Sequence, residues 1–153
     1  MSWIQSSTLV LKKSKFKAFV IPIKTNNEIP QLLKEVYTLD KHLKTASHPT
    51  MYAWKTADSN SNSSKITKLQ NVNQGFNDNN EGGSGQRILG LIDRIKLVNI
   101  LIIVSRWYGG TPLGPARFKC ISDVAMEAVK NGEYFNSNGG NNKSYTDCLK
   151  INK

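Results

Sequence analysis

The sequence predicts an α/β (α+β) two-layer sandwich, one mixed sheet with helices on one face. Three observations carry this. Ile100 to Val104 is an unbroken β-branched and Leu run, which suits a strand buried on both faces. Three segments carry apolar residues at helical spacing, and such stripes need a sheet to cover. Lys13, Lys15 and Lys17 alternate with Ser14, Phe16 and Ala18, the period of a strand with one wet face.

In chain order, Thr8 to Leu11 reads as a short first strand and Lys12 to Ile23 as a longer one, with Pro22 marking an edge or a strand end. Asn26 to Leu39 is a helix with Ile29, Leu32, Leu33, Val36 and Leu39 in one stripe, capped by Asn26 or Asn27, with Pro30 in its first turn. Asp40 to Ser47 is a polar connection, and Met51 to Lys55 the next strand. Ala57 to Asn80 is rich in Ser, Asn and Asp without periodicity and reads as an exposed, mobile insertion. Gln86 to Lys96 is a helix with Ile88, Leu89, Ile92 and Ile95 on one side and Ser84 as its cap. The Ile100 strand closes on Ser105-Arg106-Trp107-Tyr108 and the Gly109-Gly110 turn. Gly114-Pro115 then starts a helix carrying Phe118, Ile121, Val124, Ala125, Ala128 and Val129, which stops near Gly132. The segment 132–153 reads as a loosely ordered tail anchored by Tyr134, Phe135 and Tyr145. The whole is expected to be one domain, with its core at about residues 8–131.

Net charge is +10, from 21 basic and 11 acidic residues, which favours an acidic partner such as nucleic acid or an acidic protein surface. A merely solvated basic surface is the plain alternative. Lys13, Lys15 and Lys17 would stand about 7 Å apart on one sheet face. The first 27 residues hold no acid to neutralise them. No run of about 18 apolar residues is present, and no apolar export signal opens the chain. Cys120 and Cys148 read as free thiols of a reducing compartment, the cytoplasm with the nucleus as alternative. No Cys/His spacing resembles a zinc site, and no cofactor is expected.

The glycine turn before a helix is similar to a phosphate cradle, but GxxxxGK[ST] and GxGxxG are both missing, so a tight strand-to-helix turn is the simpler reading. Ser105, His48 and Asp78 or Glu81 assemble a hydrolase triad on paper. No GxSxG elbow supports it. Asp78 and Glu81 as a metal pair come from one loop alone, and a cap with a loop acid is the plainer reading. Arg106 and Arg117 are spaced to grip phosphates or carboxylates, and Trp107 and Tyr108 to stack on bases. Equally, Arg106 pairs with Glu81 or Asp78 to hold the loop while the aromatics fill core.

These same residues resemble the IMPACT family, the eukaryotic relatives of the bacterial YigZ proteins. The resemblance runs from about Lys13 to Val129. Its opening strand is matched by Lys13 to Ala18, and its Ala-Thr-His…Tyr-Ala-Tyr motif by Ala46-Ser47-His48 with Tyr52-Ala53-Trp54. Its most specific block is matched by Val104 to Gly110 and Leu113 to Phe118. Its Asp-Asp-Gly-Glu loop falls on Asp78-Asn79-Asn80-Glu81, where Asn79 and Asn80 depart from the pattern. The 57–77 stretch is longer than the family suggests, and the ancient domain is expected to stand alone, without the RWD domain of full-length relatives. The resemblance implies a fold like domain IV of elongation factor G. It also implies a non-enzymatic role in translation or its stress control. The implied partners are RNA, ribosome-associated proteins, a translation regulator or actin, with no membrane. The rival expectation is a hydrolase using His48, Glu81 and Arg106. The binding residues expected are Lys13, Lys15, Lys17, His48, Asp78, Glu81, Arg106, Trp107, Tyr108, Gly109, Gly110 and Arg117. His48, Glu81, Arg106 and the Gly109-Gly110 turn are expected to lie together.

Overall fold

The computed structural model describes residues 3–59, 65–66, 68–134 and 145–151. Its centre is three long antiparallel strands: β3 (Ser14–Pro22), β4 (His48–Ser59) and β8 (Ile100–Trp107). Short β1 (Ile4–Gln5) and β2 (Leu9–Leu11) flank β3, and β6 (Leu69–Asn77) flanks β4. The order is β1-β3-β8-β4-β6, with β2 also paired to β3. A small second sheet joins β5 (Lys65–Ile66), β9 (Tyr145–Asp147) and β7 (Leu97–Val98), its β7–β9 pair parallel. The helices are α1 (Ile29–Glu35), α2 (Ser84–Arg94), α3 (Ala116–Asn131) and a single turn, α4 (Cys148–Ile151).

The α+β class stands, with two differences in detail. Every pairing in the main sheet is antiparallel rather than mixed. Helices also lie on both sheet faces rather than one, because α1 and the turns after it cover part of the face expected to be at least partly wet. Register sets Ala18 against Val104 and Val20 against Ile102, and these side chains share one face with Phe16, Met51 and Ala53. That face packs on Ile88, Leu91 and Ile92 of α2 and on Ile121, Val124, Ala125 and Val129 of α3. The alternate residues Phe19, Ile21, Leu101 and Ile103 face the other way and are buried under Ile29, Leu32, Val36 and Leu43. The apolar run of β8 is thus apolar on both sides because both sides are covered.

The lysine row is corrected by the same register. Lys13 is not on the strand. It lies with Lys12 in the two-residue turn that joins β2 to β3, both at positive φ (+48° and +70°), the backbone of a tight hairpin turn. Lys15 is exposed. Lys17 is part-buried, bonded to Asp40 at 3.0 Å with its ammonium 5.3 Å from the Phe19 ring centre. Burial pushes the Asp40 carboxyl up, but donation from the His42 backbone N–H and from Lys17 outweighs it, and the pKa ends lowered. Only Lys13 and Lys15 of the three stand free of an ion pair among the described residues.

The 57–80 stretch is also corrected. Much of it is strand: β4 runs on to Ser59 and Leu69–Asn77 returns beside it as β6. An edge strand with both faces largely in water needs no apolar alternation, so Asn and Gln hid it. The tail returns as well. Tyr134 is fully buried, and Thr146 donates its N–H to Lys96 O at 2.7 Å. Phe135, read as an anchor, lies outside the described residues.

Burial pushes the Tyr134 phenol up to about 12, with the neighbouring Cys148 adding to it. An unfolded phenol titrates near 10. The contribution is therefore complete below about pH 10 and is lost as pH rises through the folded value. Melting temperature is expected to fall from about pH 10 upward, and Tyr134→Phe to flatten that fall. Parallel alkaline slopes for the two proteins would contradict this.

Candidate functional site

The chemistry-bearing groups meet where β8 ends. Arg106 is buried, its guanidinium carbon 5.4 Å from the Phe16 ring centre and 5.6 Å from that of Tyr108. Glu81 is also buried and reaches it from the turn before α2. Arg106 Nη1 donates to Glu81 Oε2. Arg117 Nε, from the first turn of α3, lies 3.5 Å from Oε1 without hydrogen-bond geometry. His48 Nε2 lies 3.7 Å from Oε2. His48 Nδ1 sits 2.8 Å from Asn79 O. A carbonyl only accepts, so Nδ1 carries the proton and Nε2 faces the carboxylate. One carboxylate thus gathers two guanidinium groups and an imidazole.

The loop is held in shape from within. Asn79 and Asn80 both have positive φ (+49° and +67°). Asn tolerates the left-handed region better than other side chains, so these residues keep the backbone path of the turn. Asn79 Oδ1 accepts from Thr50 N at 3.0 Å, tying the loop to β4. Asp78 does not join the cluster. Its carboxylate accepts from Gly83 N at 3.2 Å and Gly85 N at 2.7 Å, so Asp78, rather than Ser84, caps α2; the Ser84 hydroxyl donates to Asp78 O. Asp78→Ala is expected to cost about 1–2 kcal/mol, the usual range for a lost cap. Urea unfolding checks this, and an unchanged midpoint would refute the capping role.

The residues around Arg106 anchor the strand end. Ser105 Oγ donates to Pro49 O at 2.6 Å, Trp107 Nε1 to His42 O at 3.0 Å, and Tyr108 N to Ser47 Oγ at 2.8 Å. Trp107 packs on the second sheet face, opposite Arg106, where it lines a depression of about 410 Å³ with Val10, Lys15 and His42. Tyr108 is half exposed and lies on Arg106. Gly109 donates its N–H to Ser14 Oγ at 3.0 Å and packs on the Lys13–Ser14 backbone. Gly110 has φ +94° with open space around it. Of the twelve expected residues, the structure brings His48, Glu81, Arg106 and Arg117 together with Tyr108 alongside. It sets Lys13, Lys15, Lys17, Asp78, Trp107 and Gly109 in other contacts and leaves Gly110 exposed, so the Gly109-Gly110 turn, expected with the cluster, packs on Lys13 and Ser14 instead. Sequence reasoning missed Asp40, whose position two residues before His42 offers a local cap signal but none for the distant Lys17. Among the described residues no group of three His, Cys, Asp or Glu could hold a metal ion. None of the described helices is long and apolar enough to cross a membrane.

An antiparallel sheet with α2 and α3 on one face and α1 on the other, closed at one end by buried Glu81 and Arg106 with part-buried Arg117 and His48, defines a small α+β domain whose charged cluster ties a loop to a strand end. The comparisons give that domain a family. Residues 12–129 match the Impact N-terminal domain, and the chain belongs to the IMPACT family. It is 39% identical to an IMPACT family member of Saccharomyces cerevisiae, covering 86% of this chain and 92% of that one. It is 30% identical to the human Protein IMPACT over 93% of this chain but only 41% of the relative, so it spans less than half of that longer protein. Among solved structures, it resembles the two-domain translational regulator Yih1, with TM-score 0.56 and 30% identity, over 84% of this chain and 46% of that one. A second structure, of a hypothetical protein, shares the fold at 22% identity with TM-score 0.63.

Proposed function

We propose that this chain is a regulatory binding domain that works in translation by docking an anionic partner, RNA or a ribosome-associated acidic protein, and that it performs no chemistry on that partner. The observation that carries this is that the buried cluster is closed on itself. Glu81 is held by Arg106, with the Arg117 guanidinium beside it, so it is not a free base. The Ser105 hydroxyl is spent on Pro49 O and fully buried, so it is not a nucleophile. The likeness to Yih1, a translational regulator, supports the setting.

In this reading Glu81, Arg106, Asp78 and Gly109 are framework, and His48 tethers the loop to β4. Lys13, Lys15, Tyr108, Gly110 and the exposed part of Arg117 face the partner, and Trp107 presents its edge beside Lys15. Sucrose-gradient sedimentation of the protein in cell extract tests this. It should run with ribosomal fractions at about 0.05 M salt and return to the top at about 0.5 M, where screening shortens to a few Å. Remaining at the top under both conditions would contradict it.

A further inference from the structure

Helix α2 turns a second set of cations outward, beside the Glu81 cluster, with which the groove shares Arg117. Arg87, Gly90 and Arg94 are spaced three and four residues apart, so they share one face of the helix. Seven residues place the two arginines about 10 Å apart along the axis. Gly90 leaves the floor between them open, since a Cβ built there meets nothing within 4 Å. Phe118 of α3 forms the wall. Its ring centre lies 5.3 Å from the guanidinium carbon of Arg87 and 4.7 Å from that of Arg117, so two cations rest on one ring. The shallow, open groove between α2 and Phe118 has a volume of about 330 Å³.

The nearby acids are all committed elsewhere. Asp78 caps α2, and Glu81 is bound in the cluster. Asp93, next to Arg94 in sequence, is held by Lys55 at 2.9 Å, and Asp123 by Lys119 at 2.8 Å. Arg87 and Arg94 carry no ion pair among the described residues and are both exposed. Cations gathered in a groove without a counter-charge favour an anionic ligand. Two guanidinium groups beside one aromatic ring favour a ligand that carries both phosphates and bases over an acidic peptide, because carboxylates alone make no use of the ring.

We propose that this groove binds single-stranded RNA, with phosphates at Arg87 and Arg94 and a base against the Phe118 ring. This rests on the anionic-partner reading above and narrows it to a phosphate backbone at one face. The test is fluorescence anisotropy of a labelled oligouridine of about 12 nucleotides, a length within single-strand site sizes, titrated with the full chain across a salt series. Arg87→Gln/Arg94→Gln should weaken binding at least tenfold at about 0.1 M salt. It should also flatten the log–log salt slope by about 1.4, two contacts at about 0.7 each. Gly90→Glu, which the open floor accommodates, should weaken binding as well by placing an anion in the groove. Melting curves confirm that both variants are folded. An unchanged affinity and slope in the double variant would overturn the proposal. So would polyglutamate competing as well as unlabelled oligouridine, which would make the groove a protein-docking surface. If the double variant is unchanged here while the parent still runs with ribosomal fractions, the groove assignment falls and the wider reading stands.

Discussion

Glu81→Ala is expected to lower stability by about 3–5 kcal/mol, the range for breaking a buried ion pair from one side. The reason is what stays behind. Arg106 is 4% exposed, and its Nε already lacks a hydrogen-bond partner. Without Glu81 its charge would sit against the Phe16 and Tyr108 rings with no carboxylate to neutralise it. Arg117 and His48 lose less, because both reach water. Urea unfolding measures this as a lower midpoint at an unchanged slope. A loss below about 1 kcal/mol would mean that Arg106 is not held by Glu81.

Gly109→Ala is expected to cost about 3 kcal/mol or more, at the upper end of what overpacking does. A Cβ there would lie 2.2 Å from Lys13 C and 2.4 Å from Ser14 N. These are backbone atoms, so no rotamer change relieves the overlap. The shift would also pull Gly109 N–H off Ser14 Oγ. Gly110→Ala makes the informative contrast. Its φ of +94° disfavours a side chain but the space around it is open, so about 1–2 kcal/mol is expected. The ratio of the two losses is the readout. Equal losses would contradict the assignment of Gly109 to close approach and Gly110 to backbone conformation.

The long elements were legible in the sequence because burial writes a period into them. Ile100 to Val104, the α2 stripe and the α3 stripe all fall where the apolar spacing placed them. Strand β6 was not legible, because its surfaces face water and its stability comes from pairing with β4, which leaves no pattern. The lysine row failed for a different reason. Alternation was read through Lys13, but the chain turns there, and a turn built on two lysines at positive φ lacks the Asn or Gly that signals one. The meeting of His48, Glu81 and Arg106 was expected from family motifs rather than from spacing, since three distant segments bring it together. The Arg106–Glu81 pair and a capping acid in the loop were both open to a plain reading of the sequence. The approach of Arg117 and His48 to the same carboxylate was not, because it depends on where each side chain points after the loop has folded.

The most direct test of the account replaces the buried Glu81–Arg106 pair and leaves in the cluster only Arg117 and His48, which reach water. Glu81→Met/Arg106→Met removes both ends of the pair and fills similar volume, a change that is often neutral for stability. If the cluster is framework and the binding groups lie outside it, the double variant folds and sediments with ribosomal fractions at low salt as the parent does. A variant that melts like the parent but stays at the top of the gradient would contradict the account, and would make Glu81 and Arg106 the binding site itself.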